Sequence, residues 1–154
     1  MSSNAELRKW LVERNVCPEA LEWLGDRDLA AAWQECAVPE WMLWLLGYAG
    51  ISRSTMRLLA CRLVRATPIT DGRTVWDLLD QRSRAAVEVA ERHARRGEAT
   101  DTELAADWTA AARAAWADAA RAARASDAAK VAQCRIIREM ISLHDIESAM
   151  EAQR

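Results

Sequence analysis

The sequence predicts an all-α fold, a compact helical bundle of about eight helices, short in the N-terminal half and long, alanine-rich and antiparallel in the C-terminal half. Three observations carry this. Alanine, the strongest helix former, fills 32 of 154 positions. The breakers are scarce, with 5 glycines and 3 prolines. The bulky residues are unusual too: 8 Trp, 1 Tyr and no Phe. With 51% hydrophobic and 29% charged residues the chain is globular, and its length suits one domain spanning 1–154. Within it, 1–66 holds Trp-rich short helices and 74–153 the long ones. A chain of this size buries roughly two-thirds of its unfolded surface, so folding requires neither a disulfide nor a metal.

Each element has a local cause. Asn4 is a candidate cap for a first helix that places Leu7, Trp10 and Leu11 on one face. Pro18 suits the first turn of a second helix, which ends at Gly25. Asp26 or Asp28 caps a third from Leu29 to Glu35, and Pro39 opens a fourth ending at Gly47. Ser52 or Ser54 starts a fifth that closes near Ala66, and Pro68 to Arg73 is the clearest loop. Thr74 with Asp77 resembles a capping box opening a helix to Arg96, and Thr100 to Glu103 is a fuller one opening a helix to Arg124. Ser126 or Asp127 caps a last helix to the C-terminus. In the helix from Thr100, Leu104, Trp108, Ala111, Ala112, Ala115, Ala119 and Ala122 share one face. Those methyl groups allow close approach of a partner helix, and Trp side chains elsewhere fill the space.

Several chemistries are excluded by pattern. The soft ligands are four Cys, His93 and His144, none at zinc-site spacing. Cys17, Cys36, Cys61 and Cys134 form no CxxC pair, which suits a reduced, cytoplasmic protein. There is no nucleophile elbow and no phosphate loop. Cys61 reads as a small buried residue, although Arg62 beside it would lower its pKa. The expectation is therefore a non-enzymatic protein without a cofactor. The first eleven residues lack the apolar region of a signal peptide, and the longest apolar run, Trp41 to Leu46, is too short for a membrane span.

Charge is more informative than its total of −2. From Glu13 to Glu40, seven acids face Arg14 and Arg27, a net of −5. From Trp41 to Arg73, Arg53, Arg57, Arg62, Arg65 and Arg73 face Asp71, a net of +4. Two solvated faces are the plainer reading. The functional one is an acidic patch for a basic partner and an Arg face for an acidic one. No aromatic pattern interleaves with the arginines, which argues against nucleic acid. The candidate partner-binding residues are Glu19, Glu22, Asp26 and Asp28 with exposed anchors at Trp23, Trp33 or Trp41, and Arg53 and Arg57 on the basic side. The stretch from Trp41 to Tyr48 is apolar nearly all round, as a central core helix or an interface would be. The last helix carries two apolar stripes, Ile136, Met140 and Leu143 beside Cys134, Ile137, Ile141 and His144, a width that would suit a homodimer.

Two stretches together carry a family resemblance. One runs from Cys17-Pro-Glu-Ala-Leu-Glu-Trp-Leu-Gly25 through Ala32-Trp33 and Cys36 to Trp41-Met-Leu-Trp-Leu-Leu46. The other is Gly97-Glu-Ala-Thr100 followed by Glu103-Leu104 and the Ala run with Trp. This order, over Cys17 to Ala125, resembles an alanine-rich, all-α family of immunity proteins from bacterial polymorphic-toxin loci and from phage and other mobile elements. The resemblance implies stoichiometric neutralisation of another protein, a toxin or, for mobile-element members, a defence-complex subunit in the manner of an anti-CRISPR. A helical oligomerisation module is the other alternative.

Overall fold

Helix caps punctuate nearly the whole of the chain in the computed structural model, which describes residues 3–95 and 110–154. Among these residues are ten α-helices: α1 Asn4–Glu13, α2 Pro18–Leu24, α3 Leu29–Glu35, α4 Pro39–Ala49, α5 Arg53–Ala66, α6 Val75–Leu78, α7 Gln81–Arg95, α8 Ala110–Ala125, α9 Asp127–Met140 and α10 Leu143–Ala152. The fold is all-α. The Thr100 capping box and the Leu104 and Trp108 positions lie outside the described residues.

The two helices beyond the expected eight come from breaks inside apolar stripes. The segment after Thr74 stops at Leu78, because Leu79 is extended (ψ 141°) and the Asp80 carboxylate accepts the Ser83 N–H at 2.7 Å to start α7. The last segment breaks at Ser142, whose hydroxyl accepts the Asp145 N–H at 3.1 Å while its own N–H donates to Asp145 Oδ2 at 2.8 Å. Two boundaries also move. Ser3, not Asn4, caps α1 in a box with Glu6, and Asn4 Nδ2 instead donates to the carbonyls of Gly25 (2.9 Å) and Arg27 (2.6 Å). The fourth helix passes through Gly47 and ends at Gly50, which takes the left-handed conformation (φ 95°) that closes a helix. A Cβ at Gly50 would only displace the flexible Gln153 side chain, so it is the left-handed turn that requires glycine.

The chain divides into two compact units, 1–51 with 141–154, and 52–140. In the first, Leu7, Leu11, Leu24, Leu29, Trp33, Met42, Leu46, Ile146 and Met150 are buried, and α10 packs against α4. Arg8 adds a hydrogen bond to the Gly25 carbonyl at 2.8 Å, so α1 fixes the turn that follows α2. The apolar run of α4 is not buried all round: Met42, Leu46 and Ala49 are covered, whereas Tyr48 is 47% exposed.

In the second unit, α5 is the hub, packing against α6, α7, α8 and α9. Its core joins Cys61, Val64, Val75, Val87 and Ala90 to Ala112, Ala115 and Ala119 of α8, with Trp76 and Trp116 packed alongside. The alanine face therefore sits where its periodicity places it. One polar network is built in: Gln133 Nε2 donates to Thr67 Oγ1 (2.9 Å) and to the Ala119 carbonyl (3.1 Å), and Thr67 Oγ1 donates to the Leu63 carbonyl. With both ends satisfied, this burial carries little penalty. The apolar arc of the last segment is covered in part. Cys134, Ile136, Ile137 and Ile141 are buried, Met140 and Leu143 are half-buried and His144 is exposed.

Candidate partner-binding site

The short helices of the first unit arrange their Trp side chains around an apolar cavity of about 420 Å³. Trp23 of α2, Trp33 of α3, and Trp41 and Trp44 of α4 line it, together with leucines from α1 to α4 and Met42. Asn15, Cys17 and Glu40 line it too and are exposed, so the cavity opens to solvent there. Asn15 takes a positive φ of 56° at the end of α1, which aims the chain into α2.

Several contacts hold the aromatic lining in place. Trp23 and Trp41 pack with ring centroids 5.9 Å apart. Trp44 stands edge-on to Trp10 at 6.5 Å and lies against Tyr48 at 4.4 Å. Arg27 folds back over the Trp23 ring, 4.5 Å from its centroid, donates to the Trp23 carbonyl, and pairs with Glu35 at 2.6 Å. That guanidinium is therefore spent on internal contacts.

The structure sorts the acidic patch. Glu13 pairs with Arg14 (3.9 Å) and Glu35 with Arg27. Asp28 caps α3, accepting the Ala31 N–H at 2.9 Å. Glu19, Glu22 and Asp26 are exposed and make no ion pair or hydrogen bond among the described residues. The first two share α2 with the cavity-lining Ala20 and Trp23, and Asp26 lies in the turn that follows. Trp23 and Trp41 are half-buried, but Trp33 is only 3% exposed and does not serve as a surface anchor, because it packs inward from α3. Trp44 belongs to the lining and was not among the candidates.

The arginine face does not survive as a free basic surface. Arg65 Nε and Nη2 donate to both carboxylate oxygens of the buried Glu91, at 2.5 and 3.0 Å, and its guanidinium stacks on Trp76 at 3.9 Å. Arg62 pairs with Glu139 (3.3 Å) and Arg73 with Asp71 (3.9 Å). Arg53 is exposed and Arg57 half-buried, and both lie on α5 in the second unit. Burial lowers the Arg57 pKa, and the charges of Arg53 and Arg113 add to that.

The Cys61 thiol is pushed up to about 12, first by burial and then by the Glu91 charge, so neighbouring arginines do not make it a thiolate. Cys36 and Cys134 are buried, and Cys17 is exposed. Among the described residues no group of three His, Cys, Asp or Glu side chains is placed to hold a metal ion, and no helix is long and apolar enough to cross a membrane. No protein-family model, curated protein or solved structure matches the chain.

Proposed function

We propose that this chain is a non-enzymatic binding protein that inhibits a partner protein by stoichiometric contact through the carboxylate surface of α2. One observation carries the reading: three exposed carboxylates without ion-pair or hydrogen-bond partners among the described residues, Glu19, Glu22 and Asp26, on and just after a helix that also lines an apolar, Trp-lined cavity. Exposed charges beside aromatic anchors fit steering plus anchoring, the usual division of labour at protein interfaces.

The resemblance of the stretches around Trp23, Trp41 and the Ala run to immunity proteins favours a toxin as the partner. A defence-complex subunit is the alternative, met by the same physical mode. In either case a nucleic-acid-handling target would present a basic site for which these carboxylates compete with phosphates.

The test is capture of the protein encoded next to this chain. Reversing Glu19, Glu22 and Asp26 to Lys should weaken the complex at least about tenfold, mainly in on-rate, while leaving far-UV circular dichroism intact. Unchanged capture would refute the role of α2. A toxin gene alongside favours immunity; a phage early operon favours anti-defence.

A further inference from the structure

We infer that the cavity of the first unit receives a single bulky apolar side chain carried on a basic segment of the partner protein. This rests on the partner-binding reading above and adds the chemistry of what enters.

At about 420 Å³ the cavity falls in the size range of built ligand sites rather than of packing defects. Its lining is mostly tryptophan, leucine, alanine and methionine, with Asn15 and Glu40 as the charged or amide side chains, so it offers few groups for a polar ligand to bond. Two of its aromatic walls are braced from behind, Trp44 by Trp10 and Tyr48, and Trp23 by Arg27. Braced aromatic walls bind at low entropic cost, which is how anchor pockets gain affinity.

Charge selects what accompanies the anchor. No lysine or arginine lines the cavity. Of the nearby bases, Arg27 is engaged by Glu35 and Trp23, and Arg14 by Glu13 and the Trp10 ring. Glu19, Glu22 and Asp26 make no ion pair among the described residues. A fatty acid, a phospholipid or a nucleotide would bring negative charge to a cavity lined largely from the segment Glu13 to Glu40, which already carries a net of −5, and be repelled. An apolar side chain flanked by Lys or Arg would have both parts satisfied.

Cys17 provides the readout, because it is exposed and lines the cavity. The full chain is treated with a neutral maleimide and the modification rate of Cys17 is followed with four probes. These are a short capped peptide with one leucine between arginines, the same peptide with glycine for leucine, a leucine peptide flanked by glutamates, and octanoate. The arginine–leucine peptide should slow modification about tenfold at saturation, equivalent to about 1.4 kcal/mol, and the others less than about twofold. Ala20→Trp, which fills the cavity from α2, should abolish the protection; if that variant loses its circular dichroism, Ala32→Leu is read instead and should remove part of the protection. No protection by the arginine–leucine peptide overturns the inference. So does equal protection by the glycine peptide, which would mean charge alone, or by octanoate, which would mean a small amphiphile. The probes do not involve the natural partner, so this result stands apart from the capture experiment.

Discussion

Filling the cavity should make the protein more stable and less able to bind. Ala32 is half-buried on α3 and lines the cavity of about 420 Å³. Leucine there adds three carbons, worth at most about 2.4 kcal/mol if all leave water, at about 0.8 kcal/mol each. Fixing the leucine rotamer takes back about 0.5–1 kcal/mol, and the open mouth leaves part of the side chain wet. The expected net gain for Ala32→Leu is therefore about 1 kcal/mol. In urea titrations followed by far-UV circular dichroism, this moves the midpoint up by about 0.5 M for a slope near 2 kcal/mol/M. The same variant should lose part of the peptide protection of Cys17. Destabilisation by more than about 1 kcal/mol would show that leucine overpacks a space that is already closed, and would refute the cavity.

Other outcomes follow from the same geometry. Native protein should show one fast-reacting thiol, Cys17, and four after denaturation, because Cys36, Cys61 and Cys134 are buried; two fast thiols would contradict the packing of α3, α5 or α9. Glu91→Gln should cost about 2 kcal/mol in urea unfolding, less than the 3–5 kcal/mol of a fully buried broken pair, because the Arg65 side chain is 39% exposed and can rehydrate; a change under about 0.5 kcal/mol would deny the pair a structural role. Stability should fall as pH drops below about 4. The capping carboxylates Glu6, Asp80 and Asp145 are held below their usual values by the N–H groups of Ser3, Ser83 and Ser142, so the unfolded chain binds more protons. Their contribution is present above the ordinary carboxylate range and is lost as pH falls through the depressed values. A urea midpoint that does not fall between pH 6 and pH 3 would contradict this, and Asp145→Asn, which removes the titrating carboxylate, should flatten part of the slope.

The legible parts of the fold are those governed by local chemistry. Asp28 and Ser52 cap the helices they precede, and Pro18 and Pro39 sit in first turns. The periodicity of α8 places Ala112, Ala115 and Ala119 inward, as the structure does. The break at Ser142 was hidden because Ile136, Ile137, Met140 and Ile141 form a stripe that runs on toward it, although Ser142 and Asp145 spell a capping box. Gly47 and Gly50 are alike in sequence; only the left-handed turn at Gly50 separates the interior glycine from the cap.

The site was half legible. Composition marks Glu19, Glu22 and Asp26 as acidic, but not that they make no ion pair among the described residues while Glu13, Glu35 and Asp28 find partners. A two-turn helix carries too little periodicity to reveal that Trp33 points inward. The cavity has no one-dimensional signature, since four helices contribute to it. The partnership of Arg65 with Glu91 spans 26 positions and neutralises an arginine that sequence reading counts as free.

The most direct measurement is the affinity of the neighbouring gene's product for this chain and for its Glu19→Lys, Glu22→Lys, Asp26→Lys variant, by titration calorimetry with native mass spectrometry for stoichiometry. A one-to-one complex that weakens at least about tenfold in the variant, with unchanged circular dichroism, is what the account predicts. A complex of equal affinity would contradict it.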